Sequence, residues 1–227
     1  MLREVLSGGF TLIDIFVYFL SSMVVILLVL PIHEFAHGWM ATRLGDPTPR
    51  YGGRLSLNPM AHVDWMGAAC ILLFGFGWAK PVGVNARNFR NPKRDMAITA
   101  AAGPLSNLVM GFLFMFLAYA TLFLTYKVEV ALLGYVVSFF YFIAQINVGL
   151  AIFNLIPIPP FDGSRLLSAF LPDRYYYKLM QYEQYFMIGV FVLLFTGILD
   201  RPLTLLNAAI LNGMESLVSL PFTALMR

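Results

Sequence analysis

Apolar positions run almost unbroken over residues 10–44, 96–126 and 130–156, interrupted by few charges. Each run exceeds the roughly 20 apolar residues a helix needs to cross a bilayer, so each predicts a spanning helix. Residues 182–199 predict a fourth. Residues 203–220 form a weaker helix whose Thr204, Asn207, Asn212, Glu215 and Ser219 fall near one stripe. Such a helix either spans while facing protein or lies along the surface. At about 1.5 Å per residue the first run outlasts a hydrocarbon core of about 30 Å, so one end projects from it. Arg43, Asp46 and Arg50 mark that wet end. Pro31 removes a backbone donor inside the run and predicts a kink there.

The segments between the runs break the pattern. Residues 45–64 are turn-rich, with Pro47, Pro49 and the pair Gly52-Gly53. Arg54-Leu55-Ser56-Leu57 alternates polar and apolar, which predicts a short strand, and residues 80–84 predict a second. Residues 66–79 are apolar but too short to span comfortably, and Gly67, Gly75 and Gly77 interrupt them. They predict a re-entrant or interfacial segment. The expected architecture is an all-α polytopic membrane protein. It has a three-helix core, one or two C-terminal helices, and a small β element and re-entrant segment after the first helix.

Charge sets the topology. Arg87, Arg90, Lys93 and Arg94 form the densest positive cluster and place that loop in the cytoplasm. The N-terminus is then outside, and the wet end of the first helix faces the cytosol. The first run lacks a basic start and a small-residue cleavage site, so it reads as a retained helix and not a signal peptide. Composition agrees: the 227 residues are 59% hydrophobic and 12% charged, with a mean hydropathy of +0.76. A soluble domain is excluded, and no polar stretch is long enough for a second domain. The net charge of +3 resides in short loops, which excludes nucleic acid as a partner. Cys70 is alone, so neither an internal disulfide nor a cysteine-rich zinc site is available.

Against this background, His33-Glu34-Phe35-Ala36-His37 stands out. Ionisable groups in a membrane-length helix are costly and point to function. His33 and His37 are one turn apart on one helix face, the spacing at which two ring nitrogens grip one metal ion. Counted back from Arg43 they lie roughly 9–15 Å below the wet end. Glu34 is rotated off that face, within reach of a proton on the attacking water without being a ligand. A catalytic zinc site usually takes three protein ligands. Asp162 is favoured as the third, because it follows the third helix at a proline-rich break and returns to the same side. His62 and Asp64 are rivals in a loop that can fold back. Asn107 and Asn154 are polar groups in otherwise apolar helices, suited to orienting a substrate backbone or the zinc shell, or to interhelical hydrogen bonds. Arg54, Leu55, Ser56 and Leu57 offer an edge on which an unwound substrate can pair. Two other classes compete with an enzyme. A zinc or proton transporter would spread its ionisable groups along a path through the bilayer. A catalytically idle, zinc-stabilised binding protein would need the ligands but not Glu34.

Three ordered motifs carry a resemblance: His33 to His37; Ala102-Gly103-Pro104-Leu105-Ser106-Asn107; and Asn154-Leu155-Ile156-Pro157-Ile158-Pro159-Pro160-Phe161-Asp162-Gly163. Together they resemble the site-2 protease family of intramembrane zinc metalloproteases, in its compact prokaryotic branch without PDZ or other accessory domains. The resemblance covers roughly residues 20–170. It implies one Zn2+ per chain held by His33, His37 and Asp162, with Glu34 as the catalytic base. It also implies a transmembrane or membrane-anchored protein substrate cut in or near its membrane segment, and a membrane-dipping β element beside the site.

Overall fold

The computed structural model describes residues 11–74, 77–128, 130–167 and 169–225. The expected N-terminal lead, Gly75 of the re-entrant segment, and Glu129 of the turn after the second long helix lie outside them. The first run is one 32-residue span built in three pieces: α1 (Leu12–Val24), a π-turn (Val25–Val29) and α2 (Leu30–Arg43). Thr11 and Asp14 close the start of α1 by capping each other's backbone N–H groups. Pro31 has no N–H to offer the preceding turn. The Leu30 N–H reaches back five residues to the Val25 carbonyl, which makes one wide turn just upstream of Pro31.

Single helical turns at Thr48–Tyr51 and Pro59–His62 lead to α3 (Trp65–Phe74). There follow α4 (Pro92–Thr125), α5 (Ala131–Asn154), α6 (Asp162–Leu167), α7 (Asp173–Gln181), α8 (Glu183–Thr196) and α9 (Asp200–Leu225). The central helix is α4, which packs against α2, α5, α6 and α9. Val25, Val29, Met115, Ile143, Ala144 and Val148 are among the buried residues between these helices. Lipid is as apolar as these side chains, so close packing holds the helices together more than exclusion of water does. Gly111 shows how tight it is: a Cβ there would lie 3.3 Å from Val148 Cγ2 and 3.4 Å from Asn147 Cβ.

Two expectations change. Among the described residues no strand forms, because Arg54–Leu57 and residues 82–84 engage groups other than a neighbouring strand. The Arg54 guanidinium donates to the Ala61 carbonyl. The Ser56 carbonyl takes His62 Nε2–H at 2.7 Å, and the Val82 N–H goes to Glu34. The C-terminal helices also exchange weight. The positive φ of Gly197 (77°) ends α8 after 14 residues, about 21 Å, short of a bilayer core. By contrast α9 has 26 residues and is long and apolar enough to span. The Lys80 N–H donates to the His62 carbonyl at 2.7 Å, which ties the two flanks of the apolar stretch together. The chain doubles back tightly, and a Cβ on Gly67 would strike the Trp78 backbone.

Candidate metal centre

Helix period sets His33 and His37 on one face of α2, and both are buried. Their rings meet edge to face with centroids 4.7 Å apart, and their Nε2 atoms are 3.1 Å apart. Asp162 opens α6, directly after the proline-rich break that follows α5. Gly163 permits that turn, because a Cβ there would collide with the carbonyls of Leu155 and Ile156. The fold-back brings Asp162 Oδ2 to 3.1 Å from His37 Nε2 and 3.5 Å from His33 Nε2.

The donor chemistry shows what this cluster is for. His37 Nδ1 lies 2.8 Å from the Thr99 carbonyl, which can only accept, so the ring proton sits on Nδ1. In the neutral ring Nε2 then turns a lone pair towards the Asp162 carboxylate, itself an acceptor, and two acceptors 3.1 Å apart suit a shared cation. Ligand atoms about 2.0–2.1 Å from a tetrahedral zinc lie about 3.3 Å from one another. The three observed separations, 3.1, 3.1 and 3.5 Å, bracket that value. Two imidazoles and one carboxylate with a fourth position free are a donor set that catalytic zinc takes.

The triad lies in a cavity of about 520 Å³, with apolar walls that include Leu30, Trp78, Phe153 and Phe161. Glu34 also lines it, buried, with Oε2 accepting from the Val82 N–H at 2.9 Å. That amide orients the carboxylate from the loop side, while α2 holds it from the other. The loop is clamped by Asp46, which is fully buried. Asp46 accepts from the Asn85 N–H and from Asn88 Nδ2, each at 2.7 Å, and from the Thr48 N–H and hydroxyl. Burial pushes its carboxyl up, but the bonds from Thr48, Asn88 and Asn85 together hold it below the usual carboxylate range.

The expected site residues separate in space. His33, His37, Asp162 and Glu34 meet, and Asn154 lines the same cavity with its Nδ2 donating to the Leu150 carbonyl at 3.0 Å. His62 is buried elsewhere, with Nε2 on the Ser56 carbonyl, and Asp64 Oδ1 accepts the Gly67 N–H in the first turn of α3. Arg54, Leu55, Ser56 and Leu57 form a loop outside the cavity wall, where Leu55 packs over Gly38. Asn107 is buried in α4 and is not part of the wall. Three contributors escaped the sequence reading: the Thr99 carbonyl, the Val82 N–H and the role of Asp46; Gly103, named there only as part of a motif, turns out to lie against both histidines. A Cβ on Gly103 would strike His37 Nε2 and lie 2.6 Å from His33 Cε1. The one available signal was Gly103-Pro104 inside a helix, a costly pair unless something must approach closely.

Comparison with known proteins bears on the same elements. The model of Peptidase family M50 matches residues 121–196, a stretch that contains Asp162 but not the two histidines. The chain is 39% identical over 189 residues to "Putative zinc metalloprotease YwhC" of Bacillus subtilis, covering 80% of this chain and 85% of that protein. It is 30% identical over 182 residues to "Putative zinc metalloprotease Rip2" of Mycolicibacterium smegmatis, covering 77% and 66% respectively. No solved structure matches the chain. With a shared sequence this extensive, and His33, His37 and Asp162 brought together as a group that could hold a metal, this chain belongs to Peptidase family M50, the site-2 proteases.

Proposed function

We propose that the protein is an intramembrane zinc metallopeptidase that hydrolyses peptide bonds in or near the transmembrane segments of membrane-anchored proteins. The observation that carries this reading is the convergence of His33 Nε2, His37 Nε2 and Asp162 Oδ2 in the cavity that Glu34 also lines. Bound zinc supplies Lewis acidity there, lowering the pKa of a water towards about 7 and offsetting charge that develops on the scissile carbonyl oxygen. Glu34 takes the proton from the attacking water and returns it to the leaving amine. The Val82 N–H holds one carboxylate oxygen and leaves the other for the water. Asn154 is in position to hold the substrate backbone, and the apolar wall suits side chains that normally face lipid. The His37 end of α2 and the start of α4, with its basic cluster, support a site that opens towards the cytoplasm.

The test is cleavage of single-span membrane peptides by the purified protein, with a chelator control. Glu34→Gln is expected to keep zinc and lose about 10²–10⁴-fold in rate. Undiminished cleavage by that variant would refute the mechanism. A transporter or an idle binding protein would keep its activity in Glu34→Gln and show no cleavage in the wild type.

A further inference from the structure

The three zinc ligands are not equally supported. A histidine that ligates through one ring nitrogen almost always gives its other N–H to a fixed acceptor, which sets the tautomer and the ring plane. His37 has such an acceptor in the Thr99 carbonyl. His33 Nδ1 is buried and meets no hydrogen-bonding group among the described residues. With Nε2 committed to the metal, Nδ1 must carry a proton, and an unmet buried donor costs about 1–3 kcal/mol.

The register between α2 and α4 narrows the choice of acceptor. His37 meets the Thr99 carbonyl, and Gly103, one turn further along α4, lies against both His37 and His33, so the two helices run in opposite directions past each other. The next residue on that face of α4, one turn deeper again, is Asn107. It is 0% exposed, and neither Oδ1 nor Nδ2 has a hydrogen-bond partner. An amide with both ends unmet, one turn of α4 beyond the glycine that the His33 ring abuts, and a ring N–H with no acceptor are complementary.

We propose that Asn107 is the positioning residue for His33, its Oδ1 accepting the Nδ1 proton after a small side-chain rotation or through one bridging water. The assignment rests on the metallopeptidase reading above and extends it from the ligands to their support. Asn107 does not touch substrate in this account. It sets the angle of the His33 ring, as the Thr99 carbonyl does for His37. Asn147, which packs against Gly111 one turn further along α4, also has an unmet Oδ1.

The test compares zinc affinity, by chelator competition on the full-length protein in detergent, with thermal stability of the zinc-free form. Asn107→Leu preserves size and removes both polar ends. It is expected to weaken zinc about 10–100-fold while leaving the zinc-free protein as stable as wild type or more so. Asn107→Ser retains an acceptor and room for water, and is expected to recover most of the affinity. Zinc binding unchanged in Asn107→Leu would overturn the assignment. So would loss of stability without loss of affinity, the mark of a purely interhelical role. Failure of the wild type to bind zinc would instead bring down the metallopeptidase reading itself.

Discussion

Gly103 provides a sharp test of the site, because helix propensity and site geometry pull in opposite directions there. Replacing a helical glycine by alanine ordinarily favours the helix by about 1 kcal/mol. Here the new Cβ would lie against His37 Nε2, 2.5 Å from His37 Cε1 and 2.6 Å from His33 Cε1. Non-bonded carbons settle at about 3.5–4.0 Å, so the two rings or the α4 backbone must yield by about 1 Å. Overpacking of this kind costs about 1–3 kcal/mol. Metal–ligand distances tolerate only about 0.2 Å, so the displacement falls on zinc binding. At 1.4 kcal/mol per decade, Gly103→Ala is expected to weaken zinc by about 5- to 150-fold. Its zinc-free form should unfold no earlier than wild type. Chelator competition and a thermal melt on the same preparation give both quantities. Zinc affinity within about twofold of wild type would mean that α4 does not press on the two histidines, and the geometry argued above would be wrong.

Other expectations concern the third ligand and the loop. Asp162→Ala should lower zinc affinity by more than about 100-fold, since changes behind a ligand already cost 10–100-fold. His62→Ala should keep zinc and lose thermal stability, because His62 is buried and braces the Ser56 carbonyl. Metal analysis of both variants checks the pair, and the reverse pattern would move the site. The carboxyl of Asp46 is held low when folded, so its contribution to stability is complete above the unfolded value of about 4 and fades as pH falls through the lower folded value. Unfolding followed between pH 5 and pH 3 should therefore show an acid-dependent loss that Asp46→Asn flattens. An equally steep loss in that variant would assign the effect to other carboxylates. In cleavage assays Asp46→Asn should lower turnover more than substrate affinity, because the loop it clamps positions Glu34 through the Val82 N–H.

How much of this was legible beforehand depended on the range of the interactions. Apolar run length and helix period are local, so the spanning helices and the shared face of His33 and His37 could be read directly. The alternation in Arg54–Leu57 was also local, but a strand exists only if a second one lies beside it, and here the Arg54 N–H goes to the Pro49 carbonyl and the Ser56 carbonyl to His62. The weights of α8 and α9 were likewise undecided by composition. The left-handed turn at Gly197 sets where one stops, and packing of Phe222 against Phe116, Tyr119 and Phe123 docks the other.

The amino-acid order by itself determined that the chain enters a membrane and that α2 carries a two-histidine pair with an acid beside it, and it favoured Asp162 over His62 and Asp64 as their partner. That Asp162 meets the two histidines was a tertiary decision. Asp162 lies 125 residues from His37, and it arrives only because α4 and α5 form a packed hairpin and Gly163 lets α6 fold back over its end. The support of the site is tertiary for the same reason. The Thr99 carbonyl and the Val82 N–H are backbone groups present at almost every position of every chain. Their identity carries no sequence signal, and only the close approach of two helices and one clamped loop selects them.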